Sequence, residues 1–445
     1  MKFERENLSQ FKWLLPGMRV KRWLLLLLMG IVALGLGLAY ILKEIYQTWT
    51  LPPIAYYITL QFIDRVWRAL LFGLLGVSAV VVAILQLNRS VLAAFIRPGQ
   101  ERVVDVIYQY RQRERGPKVV AIGGGTGLST LLRGLKAYTS NITAIVTVAD
   151  DGGSSGRLRR ELGLLPPGDF RSCIAALAND ESLTTQLFQY RFPSGAGLDG
   201  HSFGNLFIAA MAGVTGNFER ALLESGRVLS IRGQILPSTL ENVTLCAELR
   251  QHRADGVMLR RVAGESSIPQ LGWPIERVYL EPENVPAYPG ALHAILDADL
   301  IVVGPGSLFT SILPNLLISE IVQAVQASPA LKLYVCNVAT QRGETDGFTV
   351  EDHVRALEMH VGGVLCPNIL ANAQFQPTPE DANYELVRLR GDLPPAYRLL
   401  QAELIDSSNP WRHDSDKLAR AVFDFYLSGR GAERAVRDLK KDSSS

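Results

Sequence analysis

The chain has 445 residues, more than one typical domain needs. Its formal net charge is +2 and no basic run is interleaved with aromatics, which argues against a nucleic-acid partner. Hydrophobic residues make up 48% of it, so an apolar excess is concentrated somewhere along the chain. The four cysteines, Cys173, Cys246, Cys336 and Cys366, show no Cys-x-x-Cys spacing, so neither a zinc site nor a redox pair is indicated. Such sparse use suits buried free thiols in a reducing compartment.

The apolar excess lies at the front. Residues 23–42 carry no charge. At a rise of about 1.5 Å per residue they make a helix of about 30 Å, the thickness of a bilayer's hydrocarbon core. Residues 69–87 form a second such run, with Ser78 and Gln86 as its polar side chains. Lys12, Arg19, Lys21 and Arg22 precede the first run, and Arg89, Arg97, Arg102, Arg111, Arg113 and Arg115 follow the second. The loop between has Lys43, Arg65 and Arg68. This asymmetry predicts a multi-pass plasma-membrane protein with both termini and the soluble part in the cytoplasm. A cleaved signal peptide would have a shorter apolar stretch and a small-residue cleavage site, which Ala39-Tyr40-Ile41 does not supply. Residues 1–97 therefore read as a membrane anchor, 98–117 as a charged stalk, 118–430 as the soluble domain and 431–445 as a polar tail.

Within the soluble domain, residues 118–122 form a short apolar run bounded by glycine, which predicts a buried strand. Leucines at 128, 131, 132 and 135 have helical spacing, and residues 142–148 are β-branched and apolar. Strand, glycine loop, helix and strand make the βαβ unit of a parallel sheet. Residues 300–303 and 333–338 predict two further strands. Residues 228–285 have a different texture, with antiparallel strands expected at 243–249, 257–262 and 277–280. The expected fold class is α/β: a Rossmann-like, mainly parallel sheet with a small β-rich insertion, preceded by two transmembrane helices.

Gly123-Gly124-Gly125-Thr126-Gly127 follows a strand and opens a helix. Glycine lets a phosphate approach the main-chain N–H groups, and the helix N-terminus favours an anion. Leu128 departs from the dinucleotide fingerprint and no Lys-Ser/Thr follows, so neither a dehydrogenase loop nor a Walker A loop is matched. Asp150, Asp151, Gly152, Gly153, Ser154, Ser155 and Arg157 lie at the end of the second strand, where doubly wound folds bind ligands. The two carboxylates can accept from a ribose or hold Mg²⁺, and Arg157 can pair with phosphate. Asp169 and Arg171 follow Pro166-Pro167-Gly168 as a cap and a ligand contact, with capping alone equally consistent. His201-Ser202-Phe203-Gly204-Asn205 precedes a helix at 206–211; His201 suits a hydrogen-bonded structural role, and Asn205 suits reading a base or sugar edge. Gly304, Gly306, Ser307 and Thr310 form a second strand-end glycine turn, and Asn337 ends the strand after it. No Ser-His-Asp order, histidine pair or nucleophile elbow is visible.

These stretches, with Thr147-Val148-Ala149 before Asp150 and residues 337–347 after the last strand, resemble the bacterial gluconeogenesis factor family. That family lies within the 2-phospho-L-lactate transferase superfamily, and the similarity runs from about residue 118 to about residue 367. The resemblance implies a core that binds a UDP-sugar, notably UDP-N-acetylglucosamine. It further implies a role in cell shape and in growth on gluconeogenic carbon sources. It places nucleotide-sugar contacts on one Asp of the Asp150-Asp151 pair and on Asn205. The two front spans depart from many family members.

Two functions follow as expectations. One is a membrane-anchored regulator that senses a UDP-sugar, requires no cofactor, and signals to protein partners in wall synthesis or central carbon metabolism, also as a homo-oligomer. The other is a transferase on a nucleotide-linked donor, with Mg²⁺ held by Asp150 or Asp151. A nicotinamide-dependent dehydrogenase is weaker, because the glycine pattern deviates.

Overall fold

The computed structural model describes residues 21–48, 54–93, 113–178, 183–193, 195, 197–253, 256–375 and 384–442. The chain divides into two units, Met1–Gln112 and Arg113–Ser445. In the first, helices α1 (Lys21–Thr48) and α2 (Arg65–Ala93) cover the two apolar runs. Large apolar side chains on them stand exposed, Leu34 at 76% and Leu74 at 72%. Among the described residues no single helix is long and apolar enough to cross a membrane. The structure thus carries the two front runs as helices and does not support them as spans. Most of the expected stalk lies outside the described residues; its last turn ends at Gly116 and Pro117.

The second unit is built on β1 (Val119–Gly123), β2 (Ile142–Val146) and β3 (Gln234–Pro237). An insertion follows, β4 (Thr244–Arg253), β5 (Gly256–Ala263) and β6 (Ile275–Glu281). The chain then returns through β7 (Leu300–Val303), β8 (Leu331–Val335), β9 (Asn368–Asn372) and β10 (Arg398–Ala402), and adds a small hairpin, β11 (Ile405–Asp406) and β12 (Asn409–His413). The main sheet has seven strands in the order β10-β9-β8-β7-β1-β2-β3, all paired in parallel. Every residue of β1, β2 and β7 is buried. That is the reason they read as continuous apolar runs: a parallel sheet is covered on both faces. Helix α3 (Gly125–Leu135) buries Leu128, Leu131, Leu132 and Leu135, the stripe read from the sequence. Strand order reverses between β1 and β7, which makes their carboxyl ends the switch point of the sheet.

Several boundaries differ from expectation. Residues 234–237, inside the stretch read as insertion, form the edge strand β3 of the main sheet. The separate three-stranded sheet, order β5-β4-β6, starts only at Thr244. Strands β9 and β10 were not anticipated. The run at 333–338 enters the sheet earlier, at Leu331. Helix α7 (Ser415–Asp442) runs through most of the segment read as a polar tail. It buries Leu418, Ala419, Val422, Phe425 and Tyr426, an apolar stripe at helical spacing.

The two switch-point turns touch. A Cβ on Gly127 would lie 2.5 Å from the carbonyl oxygen of Pro305 and 2.8 Å from the Cα of Gly306. Both neighbours are main chain and cannot swing aside. Gly127→Ala is therefore expected to destabilise the second unit by about 1–3 kcal/mol, read as a lower urea midpoint with an unchanged m-value.

Candidate functional site

At the end of β1, Gly124 is extended and serves as N-cap of α3. Gly125 has φ +63°, a conformation that suits glycine. Most of the glycine run is thus the first turn of the helix, which starts at Gly125 and not at Leu128. The β7 turn is clamped by Asn337, whose Nδ2 donates to the Gly306 carbonyl at 2.8 Å and whose Oδ1 accepts from the Gly306 N–H at 3.3 Å. Gly304 makes the turn itself, with φ +81°.

The turns line one side of a cavity of about 590 Å³, within the range typical of ligand pockets. Gly124, Gly125, Thr126, Gly127, Gly306, Ser307 and Asn337 face it, and Gln341, Arg342, Tyr384, Trp411, Arg412 and His413 close the other side. Tyr384 and Trp411 pair with ring centroids 5.7 Å apart. His413 is buried, and its Nε2–H donates to the Cys336 carbonyl at 3.2 Å. Burial pushes its pKa down to about 4, so it is neutral at pH 7.

Beside the cavity lies a crowd of carboxylates. Asp169, in the first turn of helix α5 (Gly168–Leu177), accepts from the Gly125 N–H. The glycine turn thus already holds one carboxylate where a phosphate was expected. Burial, and then the neighbouring Asp150, push the pKa of Asp169 up to about 6. Burial also raises Asp150, against hydrogen bonds from the Gly152 N–H at 2.9 Å and from Ser155. Asp151 serves another purpose: its Oδ1 accepts from the Ser266 N–H of the insertion at 2.9 Å. Next to Ser266, burial and then Asp150 and Asp169 push Glu265 up to about 8. Glu344, 4% exposed, accepts from Thr310 Oγ1 at 3.0 Å and rises to about 7 through burial. Its second oxygen is sealed from water without a partner. Thr310 is therefore turned to Glu344. Among the described residues no group of three or more acidic, histidine or cysteine side chains could by itself hold a metal. Magnesium at the Asp150-Asp151 pair would need oxygens brought by a ligand.

A third cluster sits on helix α4 (Gly153–Leu162) and helix α6 (Phe203–Thr215). Ser154 Oγ accepts from Asn205 Nδ2 at 3.0 Å and shares a hydrogen bond with His201 Nδ1 at 2.9 Å. Ser202 caps α6 through the Asn205 N–H. The Asn205 Oδ1 is buried without a partner. Arg157 donates to the Asp199 carbonyl. Gly153 has φ +47° where α4 begins.

The residues singled out in the sequence thus fall into three neighbouring groups and do not all face one cavity. Gly123, Asp150, Asp151, Gly152, Gly153, Ser154, Ser155, Arg157, Asp169, Arg171, His201, Asn205, Gly304 and Thr310 are not among the cavity-lining residues. Sequence reading missed Glu265, Glu344 and the Tyr384–Trp411–Arg412 wall. Glu344 stood inside a quoted stretch; the others carry no local pattern.

A Rossmann-like α/β domain with paired glycine turns at its switch point has a cavity where folds of this class hold their ligands. The profile described as 2-phospho-L-lactate transferase CofD matches residues 119–426. The chain is 46% identical to the gluconeogenesis factor of Bacillus subtilis, over 69% of this chain and 98% of that one. It is also 46% identical to a relative of Nostoc sp., over 94% of this chain and 92% of that one. A crystal structure of a UPF0052 family protein from Bacillus halodurans matches with TM-score 0.63 and 43% identity, covering 69% of this chain and 99% of that one. The chain belongs to the gluconeogenesis factor family, within the CofD family.

The carboxyl shifts have one sign. Asp169, Glu344 and Glu265 bind protons more tightly folded than unfolded. Their stabilising contribution is full below about pH 4 and is lost as pH rises through about 6, 7 and 8 in turn. The melting temperature should therefore fall between pH 5 and pH 9. Glu344→Gln, which keeps the Thr310 contact, should flatten that fall near pH 7; a melting curve with unchanged pH dependence would contradict the assignment.

Proposed function

We propose that the protein is a membrane-anchored regulatory factor that binds a UDP-sugar, UDP-N-acetylglucosamine, at the switch-point cavity. The supporting observation is the convergence of the β1 and β7 turns on one cavity whose far wall carries an aromatic pair and two arginines. Main-chain N–H groups at a helix start suit a diphosphate. The ring faces of Tyr384 and Trp411 suit a planar base, and Arg342 and Arg412 suit the phosphates. In the adjoining cluster the buried Asn205 Oδ1 is an acceptor that lacks a donor. His413 has its Nε2–H on a carbonyl and is not placed as a general base, which favours binding over turnover. The ligand level would be passed to partners in wall synthesis and gluconeogenic growth.

The exposed leucines of α1 and α2 and the flanking arginines support anchoring, with the soluble domain in the cytoplasm. Relatives that align with 69% of this chain over nearly their whole length, beside one that aligns with 94%, fit a front unit that some members carry and others do not.

A second reading is a transferase of the 2-phospho-L-lactate transferase type, favoured by the profile match and by the carboxylates crowded beside Gly125. Asp150, together with phosphate oxygens of the donor, would hold a Mg²⁺ that neutralises charge on the diphosphate.

Calorimetry on the detergent-solubilised full chain separates the two. The regulatory reading expects saturable UDP-N-acetylglucosamine binding with no product by mass spectrometry. Trp411→Ala, which removes one ring of the cavity wall, is expected to weaken binding at least tenfold (about 1.4 kcal/mol) with an unchanged circular dichroism spectrum. Mg²⁺-dependent consumption of the nucleotide, stopped by Asp150→Asn, would replace it with the transferase.

A further inference from the structure

Three arginines lie around the start of α6, two on the turn before it and one against its first turn. Arg157 donates from α4 to the carbonyl of Asp199. Arg191 donates to the carbonyl of the next residue, Gly200, at 3.4 Å. Arg191 is tied in place by an antiparallel bridge to Ser202. Arg171 lies along the first turn of α6, where a Cβ on Gly204 would come within 2.8 Å of its Cγ. The carbonyls of two successive residues thus each meet a guanidinium, and the aliphatic stem of Arg171 packs at Gly204, four residues further on. The crowding registers electrostatically: after burial, Arg191 is the largest influence lowering the pKa of Arg171. Arg157 likewise holds the His201 pKa down, after burial.

The donors of this cluster are poorly matched. A guanidinium presents five N–H groups in a planar fork. Arg171 reaches Ser172 Oγ at 3.3 Å, and Arg157 reaches one carbonyl. The Nε of each is sealed from water with no acceptor. Carboxylates answer part of the charge: Asp169 and Asp150 act on Arg171, and Glu161 acts on His201. They do not fill the forks. A planar fork with free donors is suited to bidentate contact with a tetrahedral oxyanion. The glycine-turn cavity does not include any of these arginines among its lining residues.

We propose that Arg157, Arg171 and Arg191 form a second anion subsite, separate from the glycine-turn cavity, that takes a phosphate or phosphomonoester dianion. The subsite stands whether or not the cavity takes a UDP-sugar. Asp169 lies between the two, with its carboxylate on the Gly125 amide and Arg171 two residues further along α5.

The test uses the full chain in detergent and inorganic phosphate as probe, followed by ³¹P line broadening and calorimetry, with and without saturating UDP. Wild-type protein is expected to bind phosphate saturably, and to keep binding it when UDP fills the cavity. Arg191→Gln, at an exposed position, is expected to weaken phosphate at least tenfold and to leave UDP affinity within twofold. Arg191→Lys, which keeps the charge and loses the fork, is expected to fall between them. Circular dichroism and melting curves guard against misfolding. Phosphate that does not bind, that binds equally to Arg191→Gln, or that UDP displaces one for one overturns the subsite. Phosphate binding in a chain that ignores every UDP-sugar upholds the subsite and rejects the cavity reading.

Discussion

The second unit depends on how closely two turns approach. The β1 turn and the β7 turn meet main chain to main chain, with Gly127 against the Pro305 carbonyl and Gly306 against the Gly124 carbonyl. No side chain larger than hydrogen fits between them. That contact ties the two halves of the parallel sheet at the place where strand order reverses, and it sets the α3 start, Gly124 to Gly127, in the lining of the cavity. Asn337 and Asn315 reinforce it, the first on Gly306 and the second donating to the Gly123 carbonyl at 3.1 Å. The shape of the cavity and the stability of the switch point therefore rest on the same glycines.

Around this contact the insertion acts as a brace. Its turn at 264–267 docks on Asp151, and its Pro269 carbonyl sits where a Cβ on Gly343 would come within 2.2 Å. The brace thus touches the β2 side and the β8 side of the site. It also brings Glu265 toward Asp150 and Asp169, a costly arrangement for like charges. Such crowding persists only where packing elsewhere holds it, and functional sites are where it is most often found.

The sequence made the central βαβ unit legible for a physical reason. Val119–Gly123 and Leu300–Val303 are buried on both faces, so their apolar runs are unbroken, and the leucine stripe of α3 has only one face to bury. The glycine positions were legible because few other residues tolerate φ +63° at Gly125 or the close approach at Gly127. What stayed hidden has no local signature. Strand β3 has four residues at the sheet edge with half-exposed positions, and so resembled its antiparallel neighbours. Asp169 on the Gly125 amide, Glu265 over the site and Trp411 on the cavity wall are products of long-range packing. Asp150 and Asp151 looked like a pair in the sequence, but successive carboxylates point to different partners, one to its own turn and one to the insertion.

The claim on which the account turns is that a diphosphate seats at the two touching glycine turns. A crystal structure of the protein with UDP-N-acetylglucosamine tests it most directly. The account predicts phosphate oxygens within hydrogen-bonding distance of the N–H groups of Thr126, Gly127 or Ser307, with the uracil against Trp411 and Tyr384. Nucleotide density outside that cavity, with the turns empty, would contradict it.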